Sequence, residues 1–267
     1  MRVPASVFAT PAAMGRLLAE EIAAGIGATR RQGRPYVLGC PGGRSAVPTY
    51  EALAVFVTRL DLDLGHVVIA MMDDYVEADG HGGFDPIDDR LHHSCRHFGS
   101  ASIVGPLNAA ARRGRRMPTE NLWLPDPRDP EAYDAALRDA GGVDLFILAS
   151  GATDGHVAFN PAGSEITSRT RVVALEQTTR QDNVATFPFL GSVDQVPHFG
   201  VTVGIATIVE MSKRAVMVVH GSDKTEAAAR LLVAEQYKPD WPATVIVECR
   251  RPALYLDETA ARRSATV

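Results

Sequence analysis

Val143-Asp144-Leu145-Phe146-Ile147-Leu148-Ala149 runs directly into Ser150-Gly151-Ala152-Thr153-Asp154-Gly155-His156-Val157-Ala158-Phe159-Asn160. The apolar stretch is too short for a helix and closes on small residues, so it reads as a buried parallel strand. In open α/β sheets ligands sit beyond the carboxyl ends of such strands, which makes the loop from Ser150 to Asn160 a candidate active site.

Two other junctions share this form. Tyr36-Val37-Leu38-Gly39-Cys40 leads into Pro41-Gly42-Gly43-Arg44-Ser45, where glycines permit positive φ and let backbone N–H groups approach an anion, although such a pair also serves as a plain turn. His66 to Met72 leads into Asp73-Asp74-Tyr75, placing two acids at a strand end, as a catalytic pair or as a solvated helix start. Together the three junctions supply an anion cradle, carboxylates and an Asp-Gly-His.

Outward from these loops, strand and helix signals alternate. Met14, Leu17, Leu18, Ile22 and Ile26 recur at helical spacing from Pro11 to about Arg31, and Gly33-Arg34-Pro35 stops them. Helices are then expected over Thr49 to Leu60, Asp85 to Phe98, Ser102 to Ala111, Pro130 to Ala140 and Asp223 to Gln236. Strands are expected over Val67 to Met71, Asn121 to Leu124, Val143 to Ala149, Val201 to Gly204, Ala215 to Val219, Thr244 to Val247 and Ala253 to Leu256. The alternation means βαβ units: one α/β domain over residues 1–267, with an open, mostly parallel, Rossmann-like sheet and helices on both faces. Residues 161–197, rich in Ser, Thr, Asn and Gln and weakly periodic, read as an inserted lid.

Composition fits this picture. With 267 residues, 46% of them hydrophobic, the chain can bury a large core without disulfides. Its three cysteines, Cys40, Cys95 and Cys249, are too scattered for a disulfide framework or zinc knuckle, although Cys40 beside the Gly-rich loop could be reactive. A net charge of -5 argues against nucleic acid as partner, and Arg112-Arg113-Gly114-Arg115-Arg116 reads as a solvated loop or a contact for an acidic partner. No stretch of about 20 apolar residues suggests a membrane span, and no apolar segment resembling a signal peptide opens the chain. A cytoplasmic location is expected.

The blocks from Leu38 to Tyr50, Met72-Asp73-Asp74-Tyr75, Asp154 to Asn160, Ser168-Arg169-Thr170-Arg171, Thr202-Val203-Gly204 and Gly221-Ser222-Asp223-Lys224 occur in the order found in glucosamine-6-phosphate deaminases. The chain resembles that family, whose superfamily includes the 6-phosphogluconolactonases, over nearly its whole length. The Met-Asp-Asp-Tyr and Asp-Gly-His-Val-Ala-Phe-Asn blocks favour the deaminase branch. The resemblance implies a fold of the deaminase type, a sugar phosphate or similar anionic sugar as substrate, and neither cofactor nor metal. It casts Asp73 as the acid/base that shuttles a proton between C2 and C1 of the open-chain sugar, His156 as the group that opens the ring, and Asp154 as its orienting partner. It assigns Gly42, Gly43, Arg44, Ser45 and Lys224 to the phosphate, with Asp74 and Tyr75 beside the substrate. Relatives range from monomers to hexamers, so a homo-oligomer stays among the expectations.

Several positions depart from the family. Pro161 stands where a Glu completes the ring-opening relay, and Ala185 where an arginine clamps the phosphate. Arg44 replaces a usual Gly and can offset that loss, since a planar guanidinium suits phosphate, sulfonate or carboxylate. Ser164 and Arg171 match part of the bacterial allosteric pocket, but Val173 replaces its Lys; Ser100 to Pro118 looks inserted. His92, His93, Cys95 and His97 form a polar helix face or a metal-like cluster. Three readings follow: isomerisation with deamination of an anionic amino sugar, lactone hydrolysis, or a silent sugar-phosphate sensor.

Overall fold

The computed structural model describes residues 2–262. In chain order the elements are β1 (Ala5–Phe8), α1 (Pro11–Gln32), β2 (Tyr36–Cys40), α2 (Val47–Leu60), β3 (Val67–Met71), β4 (Asp73–Ala78), β5 (Phe84–Pro86), α3 (Cys95–Phe98), a π-helical turn over Gly99–Val104, α4 (Gly105–Ala110), β6 (Leu122–Trp123), α5 (Pro130–Asp139) and β7 (Leu145–Ala149). The chain continues with β8 (Arg171–Ala174), α6 (Gln177–Thr186), β9 (Phe199–Thr202), α7 (Ile205–Met211), β10 (Ala215–Val219), α8 (Thr225–Val233), β11 (Pro252–Asp257) and α9 (Glu258–Ala261).

A seven-stranded sheet runs in the order β1-β11-β10-β7-β2-β3-β6, every pairing parallel. Apolar residues of β2, β3 and β10 are buried on both faces, as a sheet sandwiched between helix layers requires. One face packs α1 and α2 through Met14, Leu18, Ile22, Leu53 and Phe56, while the other packs α5, α7 and α8 through Leu137, Ile208 and Leu231. Each fully buried aliphatic side chain contributes about 1.5–3 kcal/mol relative to exposure. Thr10 caps α1 by accepting from the Ala13 amide, Pro11 opens it, and Gly33 ends it at φ 67.

From β2 the chain steps outward to β3 and β6, then returns to the opposite side of β2 as β7 and continues to β10 and β11. The order reverses between β2 and β7, and the crevice at such a reversal is where this class of sheet binds ligands.

A second, four-stranded antiparallel sheet, β5-β4-β9-β8, adjoins the first. β3 and β4 are separated only by Met72, so Asp73 is the first residue of a strand in the second sheet, not the start of a loop or helix. The strand expected near Val201 is β9 of this sheet, and the segment 161–197 is more ordered than its composition suggested: it contributes β8 and α6. Tyr75, Phe159, Leu175, Leu190 and Val196 form a small separate core there.

Other expectations need correction. No long helix fills Asp85 to Phe98: Phe84–Pro86 is a strand, Asp88 accepts from the Arg90 amide in a tight turn, and the helix begins only at Cys95 behind the Ser94 cap. Leu91 and His92 are exposed, so no apolar stripe supports an earlier turn. The helix expected from Ser102 begins instead as the π-helical turn at Gly99, whose bare Cα lies against Leu122 and Met71. Thr244 to Val247 lies in a 3-10 helix, Pro242–Glu248, started by Trp241-Pro242 rather than paired as a strand. Within the basic run Arg112 and Arg115 each pair with Asp61 at 3.0 Å beyond the end of α2, while Arg113 and Arg116 are exposed.

Candidate active site

Four adjacent parallel strands, β10, β7, β2 and β3, deliver their carboxyl ends to one cavity of about 300 Å³. Gly42, Gly43, Arg44 and Ser45 line it from the end of β2, Asp73 and Tyr75 from beyond β3, His156 from beyond β7, and Lys224 from beyond β10. Residues separated by as many as 182 positions therefore meet because their strands are neighbours.

Asp73 is 5% exposed at the seam between the sheets, where its backbone pairs with Thr202. Burial, reinforced by the neighbouring Asp74 carboxyl, raises its pKa to about 7, against the pull of the Cys95 thiol and His156. A carboxyl poised there can take up and return a proton near neutral pH. Asp74 does different work and does not line the cavity. Its carboxylate accepts from the Tyr75 amide (2.8 Å), the Cys95 amide (2.8 Å), the Arg96 amide (3.2 Å) and Ser94 Oγ (3.3 Å), pinning the start of α3. Its expected place at the substrate is corrected accordingly. Tyr75 does line the cavity, its ring tilted 45° to that of Phe159 at 4.9 Å between centroids.

His156 Nδ1 lies 2.7 Å from Asp154 Oδ1, and Asp154 Oδ2 accepts from Thr178 Oγ1 at 3.0 Å and Thr179 Oγ1 at 2.7 Å. Burial opposes ionisation of Asp154, but the His156 hydrogen bonds and charge, with Thr179, hold its carboxyl below the ordinary carboxylate range. With Nδ1 committed to Asp154, Nε2 is left for the cavity. The loop is compact: Gly155 adopts φ 65, and a Cβ there would come 2.2 Å from the Trp241 ring. Ala158 adopts φ 51, and buried Asn160 donates to Val157 O (3.0 Å) and Val203 O (2.7 Å), tying the loop to the second sheet.

At the other end of the cavity Gly43, with φ 79, turns the chain into the 3-10 turn of Arg44–Ala46 ahead of α2; Gly42 needs no positive φ. Arg44 is ion-paired with Asp223 across the mouth. Lys224, 8% exposed, donates to Ser150 O at 2.6 Å; burial lowers its pKa, while Asp182 and Asp223 pull it up. Two cations and two acids thus share this end.

Asp182 is the carboxylate that sequence reasoning missed. It lies on α6, lines the cavity, and accepts from the Ala152 amide at 2.9 Å and Thr153 Oγ1 at 3.4 Å. The signal was present: Thr178, Thr179 and Asp182 share one helical face, and both threonines reach Asp154. Asp154, His156 and Asp182 each place a side-chain oxygen or ring nitrogen within 4.8 Å of the others, and Asp154 accepts from four donors, two of them on His156.

Cys95 of the histidine-cysteine cluster lines the cavity, while the other remaining sequence candidates with described side chains do not. Arg171 donates to Asn160 Oδ1 (2.9 Å) and Ser164 Oγ (3.2 Å), while Arg169 pairs with Glu210. His93 and His97 do not share a helix turn; His93 precedes α3 and packs edge-on against Tyr75 at 5.5 Å. Cys40 is wholly buried and its thiol is pushed up to about 12, which makes it inert. Pro161 O accepts from Ser164 Oγ at 2.8 Å in a turn. The side chain of Ala185 lies outside the described residues.

The chain belongs to the family of glucosamine-6-phosphate isomerases and 6-phosphogluconolactonases, whose sequence profile matches residues 9–255. Within it, the glucosamine-6-phosphate deaminase of Mycolicibacterium smegmatis is 34% identical over 259 residues, covering 96% of this chain and 91% of that protein. That of Dictyostelium discoideum is 29% identical over 228 residues, covering 85% and 79%. A solved monomeric glucosamine-6-phosphate deaminase superposes with a TM-score of 0.77 at 26% identity, over 98% of this chain and 99% of that one. The 6-phosphogluconolactonase of Trypanosoma brucei shares the fold, with a TM-score of 0.69 at 18% identity over 97% and 98%. Among the described residues, no helix is long and apolar enough to cross a membrane.

Proposed function

We propose that this protein is an enzyme of the glucosamine-6-phosphate deaminase type, converting an anionic amino aldose to the ketose with release of ammonia. The observation that carries the reading is the pairing, in one cavity, of a buried carboxyl raised to about 7, Asp73, with the His156–Asp154 dyad. The named relatives that cover most of the chain support the same chemistry.

The sequence of steps assigns each group a task. His156 Nε2 takes the proton of the anomeric hydroxyl and passes it to the ring oxygen as the C1–O5 bond breaks and the pyranose opens, and Asp154 stabilises the charge that imidazole carries between transfers. Asp73 then takes the proton from C2 and returns it at C1, so one carboxylate must reach both carbons. The imine left at C2 is hydrolysed to the ketone, releasing ammonia. Arg44, Lys224 and the Gly43 and Ser45 amides hold the tail anion, which a bidentate guanidinium binds better than it binds a single half-exposed carboxylate. Asp182 supplies a carboxylate beside His156 that Pro161 cannot, and α6, together with the rest of 161–197, closes over the bound sugar as a lid.

The test is ammonia release, coupled to glutamate dehydrogenase, across 6-phosphorylated and 6-sulfonated amino sugars. Asp73→Asn is expected to lose a factor of about 10²–10⁴. Pro161 favours a second reading, lactone hydrolysis, because it removes a group the deaminase relay uses. Hydrolysis of 6-phosphogluconolactone without ammonia release from any sugar would replace the first reading by the second.

A further inference from the structure

Cys95 opens α3 with its side chain 3% exposed, and none of the steps above uses it. Its Sγ lies 3.2 Å from Asp73 Oδ1, and it lines the same cavity. Among the described residues it is the sole hydrogen-bond donor to the Asp73 side chain.

Its position is fixed by the other acid of the pair. Asp74 accepts from the amides of Cys95 and Arg96, and Ser94 Oγ caps the same turn by accepting from the His97 amide at 3.2 Å. The two consecutive carboxylates of β4 are therefore joined in a circuit: Asp74 fixes the backbone of Cys95, and the Cys95 thiol meets Asp73. Burial, with the charges of both acids, pushes the thiol well above its ordinary pKa, so it stays protonated and acts as donor.

We propose that Cys95 is a positioning residue for Asp73: its S–H donates to Oδ1 and turns the other carboxylate oxygen toward the substrate. The inference rests on the reading of Asp73 as the acid/base. Other titratable groups face Asp73 from every side, namely Asp74 and Tyr75 on its own strand, His156 beyond β7, Tyr50 on α2 and Tyr133 on α5. The phenols of Tyr50 and Tyr133 are spent on Pro41 O and Met71 O, and that of Tyr75 has no partner among the described residues. A thiol is a weaker donor than a hydroxyl, so it orients the carboxyl while leaving it near neutrality.

The test measures the Asp73 protonation midpoint directly, by pH-difference infrared spectroscopy with Asp73→Asn subtracted, alongside the pH profile of kcat/KM for ammonia release. In Cys95→Ala the midpoint and the acid limb are expected to rise together by about one unit, with KM changed less than about twofold. In Cys95→Ser both fall below the wild-type value, because a hydroxyl is the stronger donor. An unchanged midpoint in folded Cys95→Ala overturns the proposal. If that variant does not fold, identical midpoints for the thiol and hydroxyl proteins overturn it instead. A shifted midpoint in a protein that releases no ammonia from any sugar upholds the Cys95–Asp73 link and overturns the deaminase reading alone.

Discussion

Asp73 and Asp74 are chemically alike and adjacent, yet the strand period sends one into the cavity and the other into the start of α3. Four donors compensate Asp74, whereas Asp73 has a thiol and is more deeply desolvated. The Asp73 carboxyl titrates near 3.8 in the unfolded chain and about 7 in the folded one. Between those values the native state keeps a proton that the unfolded state has lost, so the stability Asp73 contributes is full below about pH 4 and falls as pH rises through 7. Asp73→Asn removes this dependence. Its melting temperature is expected to exceed that of the wild type by a margin that grows from about pH 4 to pH 7 and then levels off, reaching roughly 2–8 °C. A margin constant across that range in calorimetric scans would show that the buried carboxyl is not the source.

The site is built by elements whose ends are fixed by local chemistry. In the loop after β7, Gly155 meets two demands at once, a positive φ and close approach to Trp241. Gly155→Ala is expected to destabilise by about 2–4 kcal/mol, read from urea unfolding, because strain and overlap add; an effect under ~0.5 kcal/mol would mean that the loop relaxes freely. Much of this level was legible. The apolar runs of β2, β3, β7 and β10 and the helices α1, α2 and α5 announce themselves by period and by their stop signals. The short β1, the π-helical turn and the 3-10 helix at Pro242–Glu248 do not, because neighbouring strands and helices decide them rather than any local repeat.

At the scale of the whole molecule, the second sheet and α6 form the wall that covers the crevice of the first. Arg180, 8% exposed, anchors α6 by donating to Val196 O from Nε (3.2 Å) and to Val193 O and Val196 O from its terminal nitrogen (2.6 and 3.0 Å). Arg180→Ala frees the helix that carries Thr178, Thr179 and Asp182. KM for the sugar is expected to rise by about tenfold, with faster amide exchange confined to 177–186 and unchanged protection in β7 and β10. Exchange that spreads into β7 would instead mark Arg180 as a support of the main core.

The sequence by itself determined the parallel α/β architecture, its family, and the positions of Asp73, Asp154, His156 and Lys224 at strand ends. Hydrophobic period and strand-to-loop junctions are local signals, carried by consecutive residues. Tertiary structure alone decided which acid of the pair faces the cavity, that Arg44 is matched by Asp223, that Asp182 reaches the His156 loop, and that Cys95 sits on Asp73. Those relations join residues on separate elements. They arise from the order of strands, the joining of two sheets at Met72 and the depth of burial, none of which is carried by neighbours in sequence.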